Sequence, residues 1–341
     1  MKAKILSLFV LFVFSAFPLF AQEGEPFVKH YTETDVKVKS GDVTLAGTLT
    51  MPAETKGPVG AALLISGSGA QDRDENIFGY KPFAEIAHAL AEAGIASLRL
   101  DDRGVGGSDK GSGVATFETR VKDAWAAVEW LRADPRIDRE FVSLIGHSEG
   151  GAIAFTVAAE HPDEIFAIVA LATPAVKGKD LMVRQNELLL SALGQMLTPD
   201  VHDALAAIFG AVETGDKAKI TEAVHANGSK AGMLPQTYEM QIQALSDPAY
   251  VEMIQRDYGA MLGRVKCPVL AICGEWDFQV DPDTNLLAVK RAIPDAQIIK
   301  PDCTNHLMQR TETRDESLQY GRAASRPFSP DVMRMIVDFL R

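Results

Sequence analysis

Short apolar runs, each closed by glycine or polar residues, alternate along this chain with segments of helical spacing. Ala61–Ser66, Ile95–Leu100, Phe141–Ile145, Phe166–Leu171 and Pro268–Cys273 read as buried strands. Between them, Phe83–Ala93 has helical spacing, and Val121, Trp125, Val128 and Leu131 fall on one helical face. Strands separated by helices pair in parallel, because a parallel neighbour can be reached only through a crossover. Runs without polar alternation suit strands covered on both faces. Residues 34–51 instead alternate polar and apolar around Ser40-Gly41, which predicts an antiparallel hairpin leading into the sheet. Val332, Met335, Ile336 and Phe339 predict a closing amphipathic helix. The rhythm stops between Ala175 and Val265, where Ala, Leu, Met and Gln dominate and Asp180–Met196 and Thr237–Asp247 read as helices. The expectation is an α/β fold with a mostly parallel sheet, its core at 22–175 and 265–341, and a helical cap inserted at 176–264.

Lys2 and Lys4 precede an apolar run from Ile5 to Phe20, and Ala21 is followed by Gln22-Glu23-Gly24-Glu25. This pattern predicts a secretory signal over residues 1–21 and a secreted or periplasmic mature chain. The run is short for a permanent span and contains Pro18. No later segment reads as transmembrane, so no membrane association of the mature form is expected. With 34 Lys and Arg against 46 Asp and Glu, the net charge is −12. A charge of that sign repels phosphate backbones, so nucleic acid is not an expected partner. Cys267, Cys273 and Cys303 lack the paired spacing of a zinc site and are too few for a disulfide framework. A Cys267–Cys303 bridge is open, and Cys273 reads as a buried apolar filler.

Gly146-His147-Ser148-Glu149-Gly150 matches G-x-S-x-G. An apolar strand precedes it and GAIAFTVAAE, a helix, follows. This strand–turn–helix setting is what a nucleophile elbow requires. A sharp turn holds the serine in a strained conformation that only small flanking residues permit. The helix N-terminus behind it offers N–H groups to developing negative charge. Ser148 is therefore the candidate nucleophile.

With that elbow in place, the chain resembles the α/β-hydrolase superfamily over essentially all of the mature sequence. SGSGAQDRDE, DDRGVGGSD, GHSEGG and the Asn305-His306 pair resemble a bacterial, often secreted, carboxylesterase branch with a helical cap, close to serine-aminopeptidase-like hydrolases. The resemblance implies a triad in the chain order serine, acid, histidine. Of the seven histidines, His306 alone lies in the loop after the last strand-like run, Ala296–Lys300, where the family carries its base. The acid is expected after Pro268–Cys273, where G-x-x-D-x-x-V selects Asp277, with Glu275 and Asp281 as alternatives. The family's oxyanion hole uses the N–H after the nucleophile, here Glu149, and one from the loop after the strand at Ala61–Ile65. Ser68 is the expected donor there and Gly69 the second. Many members have His-Gly where this chain has Ser66-Gly67. Arg103, in Asp102-Arg103-Gly104, is a candidate for binding a substrate carboxylate; the preferred reading is an ion pair with Asp72 or Asp74.

The implied chemistry is acyl transfer through Ser148 on a small-molecule ester with small to medium acyl or aryl groups. No metal or organic cofactor is called for. An aminopeptidase, with Glu149 or acids of the cap holding the substrate amine, an acyltransferase or thioesterase, and a non-catalytic binding protein remain open on the same scaffold.

Overall fold

The computed structural model describes residues 30–113 and 115–341, so the predicted leader lies outside the described residues. The described chain divides into two compact units, 30–175 with 259–341, and 176–258.

The first unit is built on an eight-stranded sheet. Its strands are β1 (Tyr31–Ser40), β2 (Val43–Pro52), β3 (Val59–Ile65), β4 (Ala96–Leu100), β5 (Ile137–His147), β6 (Ile168–Leu171), β7 (Val269–Ile272) and β8 (Gln297–Ile299), in the spatial order 1-2-4-3-5-6-7-8. The β1–β2 hairpin is antiparallel and β2 runs antiparallel to β4. Its tight turn has positive φ at the first central residue, Gly41, a position glycine occupies without penalty. From β4 through β8 every pairing is parallel. The carboxyl ends of β3 to β8 therefore open on the same edge, where ligands of open parallel sheets bind.

The first three crossovers are α1 (Pro82–Glu92), α2 (Phe117–Ala133) and α3 (Glu149–Glu160). Each turns an apolar face to the sheet: Phe83, Ile86, Ala87 and Leu90 on α1, and Val121, Ala124, Val128 and Leu131 on α2, are buried. Trp125 sits at the rim of the α2 face, half-buried and stacked on His161, rather than in the core. Thr116 caps α2 by accepting from the Thr119 N–H, which satisfies one donor of the first turn. β5 begins earlier than the apolar run suggests because Asp138-Arg139-Glu140, a polar stretch with Arg139 and Glu140 exposed, still extends the strand.

Residues 176–258 form a helical unit of α4 (Gly178–Ala192), α5 (Pro199–Glu213), α6 (Lys217–Asn227), α7 (Tyr238–Leu245) and α8 (Pro248–Gln255). Its core is Leu205, Ile208, Phe209, Val212, Ile220 and Val224, with Ile242, Leu245 and Ile254. Residues 259–264, placed in the insertion from the sequence, group with the sheet unit. After β7 come α9 (Pro282–Ala292), β8, two short turns α10 (Arg314–Ser317) and α11 (Tyr320–Ala323), and α12 (Pro330–Leu340). On α12 Val332, Ile336 and Leu340 are buried. All three cysteines are free thiols, so Cys267 and Cys303 are not bridged. No helix of the described residues is long and apolar enough to cross a membrane.

Candidate active site

Ser148 terminates β5 and opens α3 with φ 52° and ψ −124°, outside the region that L-residues favour. Holding a non-glycine residue there costs about 1–3 kcal/mol. The flanking glycines make the turn possible by removing bulk. A Cβ on Gly146 would lie 2.3 Å from the Gly150 carbonyl oxygen, and one on Gly150 would lie 2.0 Å from that of Ile65. The elbow therefore sits against the end of β3. A Cβ added to Gly67, in the loop that follows β3, would come within 3.2 Å of the Ser148 Cβ.

That loop was expected to supply an oxyanion donor. The Gly67 N–H is already given to Glu75 Oε1 at 2.7 Å. Ser68 and Gly69 are exposed, and among the described residues nothing accepts from their N–H groups. Gly69 holds φ 91°, which a side chain would oppose. Glu149 is the first residue of α3, whose opening amides have no acceptor within the helix. Arg120 on α2 ties both halves of this region together. Its guanidinium donates to the carbonyls of Ser66 (2.8 Å) and Gly67 (2.7 Å) and to Glu149 Oε2 (2.7 Å). The Glu149 carboxylate is thus turned to Arg120.

Asp277 follows β7 and His306 follows β8. Both are buried, and His306 Nδ1 lies 2.8 Å from Asp277 Oδ2. The other carboxylate oxygen accepts from the N–H groups of Gln279 (2.8 Å) and Val280 (2.9 Å). An ionised carboxylate only accepts, so Nδ1 carries the proton and Nε2 is left as a base. Cys273 donates its thiol to Asp277 Oδ2 at 3.5 Å. Burial and then the negative charge of Asp277 push that thiol well above its usual range, which keeps it a donor. The His306 loop is set by Asn305, whose side-chain oxygen accepts from the N–H groups of Leu307 and Gln309, both at 3.0 Å.

His306 is tied to the elbow through its backbone. His147 Nε2 lies 2.9 Å from the His306 carbonyl oxygen, and the two rings are 4.8 Å apart between centroids. Among the described residues no hydrogen bond joins Ser148 Oγ to the His306 ring. Such bonds are often long before substrate arrives.

The alternative acids have other work. Asp281 caps α9 by accepting from the N–H and hydroxyl of Thr284, and Glu275 accepts from the Cys303 N–H at 3.1 Å. Arg103 does not pair with Asp72 or Asp74. It forms a two-pronged pair with Asp123 on α2, both contacts at 2.7 Å. Asp72 is occupied by the N–H groups of Asp74 and Asn76, and Asp74 by Arg99. That fork is therefore already filled by a carboxylate of the chain itself.

Sequence reasoning missed Glu75, His147 and Arg120. Glu75 lies in the SGSGAQDRDE stretch and His147 is the variable residue before the nucleophile, so both sat inside quoted motifs. Their pairing partners are far away in sequence. Among the described residues no cluster of three or more His, Cys, Asp or Glu side chains is placed to hold a metal ion.

A family profile described as serine aminopeptidase, S33, matches residues 80–308, a stretch that takes in Ser148, Asp277 and His306. Esterase EstD of Thermotoga maritima is 27% identical over 294 residues, covering 85% of this chain and 63% of that protein. The chain thus spans under two thirds of that relative's length. Among solved structures, an esterase of Pyrococcus furiosus superposes with a TM-score of 0.56 at 17% identity, over 95% of each chain. Proline iminopeptidase of Mycobacterium smegmatis superposes with 0.54 at 19% identity, over 90% of this chain and 97% of its own. At such identities the structural likeness speaks to the fold alone. The profile match covers well over half of the chain, and the sheet order and elbow agree with it: the chain belongs to the serine aminopeptidase S33 family of α/β-hydrolases.

Proposed function

We propose that this protein is a serine hydrolase that cleaves carboxylic esters of small to medium acyl or aryl groups through an acyl-enzyme. The observation that carries the reading is the buried Asp277–His306 pair at 2.8 Å, in the loops after β7 and β8, on the sheet edge where the strained Ser148 opens α3. In this reading Ser148 Oγ attacks the ester carbonyl carbon as His306 Nε2 takes its proton. The tetrahedral oxyanion is met by N–H groups of Glu149 and of Ser68 or Gly69. His306 then returns the proton to the departing alcohol oxygen, leaving an acyl ester on Ser148. Water, deprotonated by His306, attacks that ester and releases the acid and the free serine.

The likeness to an esterase supports this reading over the aminopeptidase alternative, and so does the Glu149 carboxylate, which is bound to Arg120 rather than presented as a clamp for a substrate amine. The leader-like N-terminus supports export of the mature chain.

The test is turnover of p-nitrophenyl esters of increasing length beside aminoacyl-p-nitroanilides, with labelling by a fluorophosphonate. We expect ester turnover and labelling in the wild type and neither in Ser148→Ala. Retained turnover in Ser148→Ala would overturn the mechanism. Faster turnover of the anilides would move the assignment to peptide substrates.

A further inference from the structure

The sheet unit holds a second buried histidine–carboxylate pair, and its contacts reach the loop after β3 and the loop after β8 on either side of Ser148. Glu75 is 2% exposed and has φ 52°, a conformation a glutamate adopts only when its surroundings impose it. Its Oε1 accepts from the Gly67 N–H at 2.7 Å and lies 2.9 Å from His147 Nδ1. The opposite ring nitrogen, Nε2, lies 2.9 Å from the His306 carbonyl oxygen. Gly67 is in the loop carrying Ser68 and Gly69, His147 is bonded to the nucleophile residue, and His306 is the candidate base.

We propose that Glu75 and His147 form a buried carboxylate–imidazolium pair that positions the two loops flanking Ser148, the one bearing Ser68 and Gly69 and the one bearing His306. The proposal rests on the reading of Ser148 and His306 as reacting groups.

Hydrogen-bond chemistry assigns the protons. A peptide carbonyl only accepts, so Nε2 carries hydrogen. With Glu75 ionised its carboxylate only accepts, so Nδ1 carries hydrogen as well, and a ring with both is an imidazolium. Glu75 Oε2 is buried with no protein partner among the described residues, so the carboxylate depends on His147 and the Gly67 N–H for compensation. The charged groups facing His147 are Glu75 and Asp277, with the His306 ring beside it. Burial works against the imidazolium, but attraction and hydrogen bonding to Glu75, the bond to the His306 carbonyl and the charge of Asp277 outweigh it. His147 therefore titrates above the usual histidine range.

Neither residue touches the reacting atoms in this account; both are positioning residues. Removing either frees a loop whose displacement by about 1 Å can cost roughly a hundredfold in rate.

The experiment combines ring nitrogen-15 NMR of the full chain with kinetics of Glu75→Gln, His147→Gln and His147→Ala. The His147 signals are identified by their loss in His147→Gln. We expect both ring nitrogens of His147 to carry hydrogen at a pH where a free histidine is already losing its proton. Folded Glu75→Gln and His147→Gln should lose at least about tenfold in kcat with KM held within about twofold, the pattern of an interaction that matters in the transition state. His147→Gln keeps a donor able to reach the His306 carbonyl, so it should retain more activity than His147→Ala. If His147→Gln fails to fold, Glu75→Gln carries the test, because there the same ring should give up a proton or its bond to His306. A neutral His147 ring in the wild type would overturn the proposal, as would kcat within about twofold of wild type in both folded glutamine variants. Failure of the Ser148 reading is separate: turnover surviving in Ser148→Ala would show it, whatever the state of the His147 ring.

Discussion

Inside the helical insertion, packing is almost wholly apolar: Leu205, Ile208, Phe209, Val212, Ile220 and Val224 are fully buried. The buried polar side chains described there are Asn186 and Gln241, and Asn186 is satisfied by the Met182 carbonyl one turn back on its own helix. In the sheet unit Glu75, Arg99, Asp101, His147, Asp277, Asp281 and His306 are all buried. Among the described residues, the buried side-chain polar atoms without partners, Glu75 Oε2, Ser97 Oγ and Arg99 Nε, lie there too. The difference teaches where this molecule tolerates buried charge. Ionised groups in a low-dielectric interior need fixed partners, and the strands and loops of the sheet unit supply them. The insertion is stabilised chiefly by apolar burial; the sheet unit carries a polar interior held by fixed partners.

The comparison is most exposed to a test at Asp277. Asp277→Asn should lower kcat on esters about 10,000-fold, because His306 loses the acceptor that fixes its tautomer. Circular dichroism should show the fold retained. A fall of less than about tenfold would mean that this buried carboxylate serves packing, as the insertion's residues do. Next in size is Phe209→Ala in the insertion, expected to cost about 3–5 kcal/mol in chemical denaturation, since it leaves a cavity among fully buried neighbours. A cost below about 1 kcal/mol would show that the apolar interior there is loosely packed. The smallest is Arg120→Met, which keeps much of the side chain's bulk but releases the Ser66 and Gly67 carbonyls and the Glu149 carboxylate. It should lower kcat about a hundredfold with a small change in KM, as expected when both halves of an oxyanion site drift. An equal loss in ester binding would sharpen the picture differently, placing Arg120 in ground-state recognition.

The strand–helix rhythm was readable because burial on both faces leaves an unbroken apolar run, and every strand-like run named from the sequence holds a strand of the sheet. The elbow was readable because its requirements are local: small residues around the serine, a strand before it and a helix after it. The pairing of Asp277 with His306 needed the family's chain order to propose it and the adjacency of β7 and β8 to bring it about. What could not be read was any contact decided by tertiary placement. Arg103 sits in sequence among acidic residues, yet its partner is Asp123, a turn and a half into α2, because Asp72 and Asp74 are already taken up by local amides and by Arg99. The Glu75–His147 contact spans 72 residues and depends on β3 lying beside β5. Residues 138–140 do not read as strand because they are polar and break the apolar run, although their backbone extends β5.

The left-handed backbone at Ser148 has a consequence for how such a chain can change over time. The tension belongs to the main chain and not to the hydroxyl, so discarding the reaction by mutation to alanine would keep all of the discomfort and none of the use. Glycine would relax the turn. A descendant in which this side chain had no work to do would gain robustness by taking glycine there.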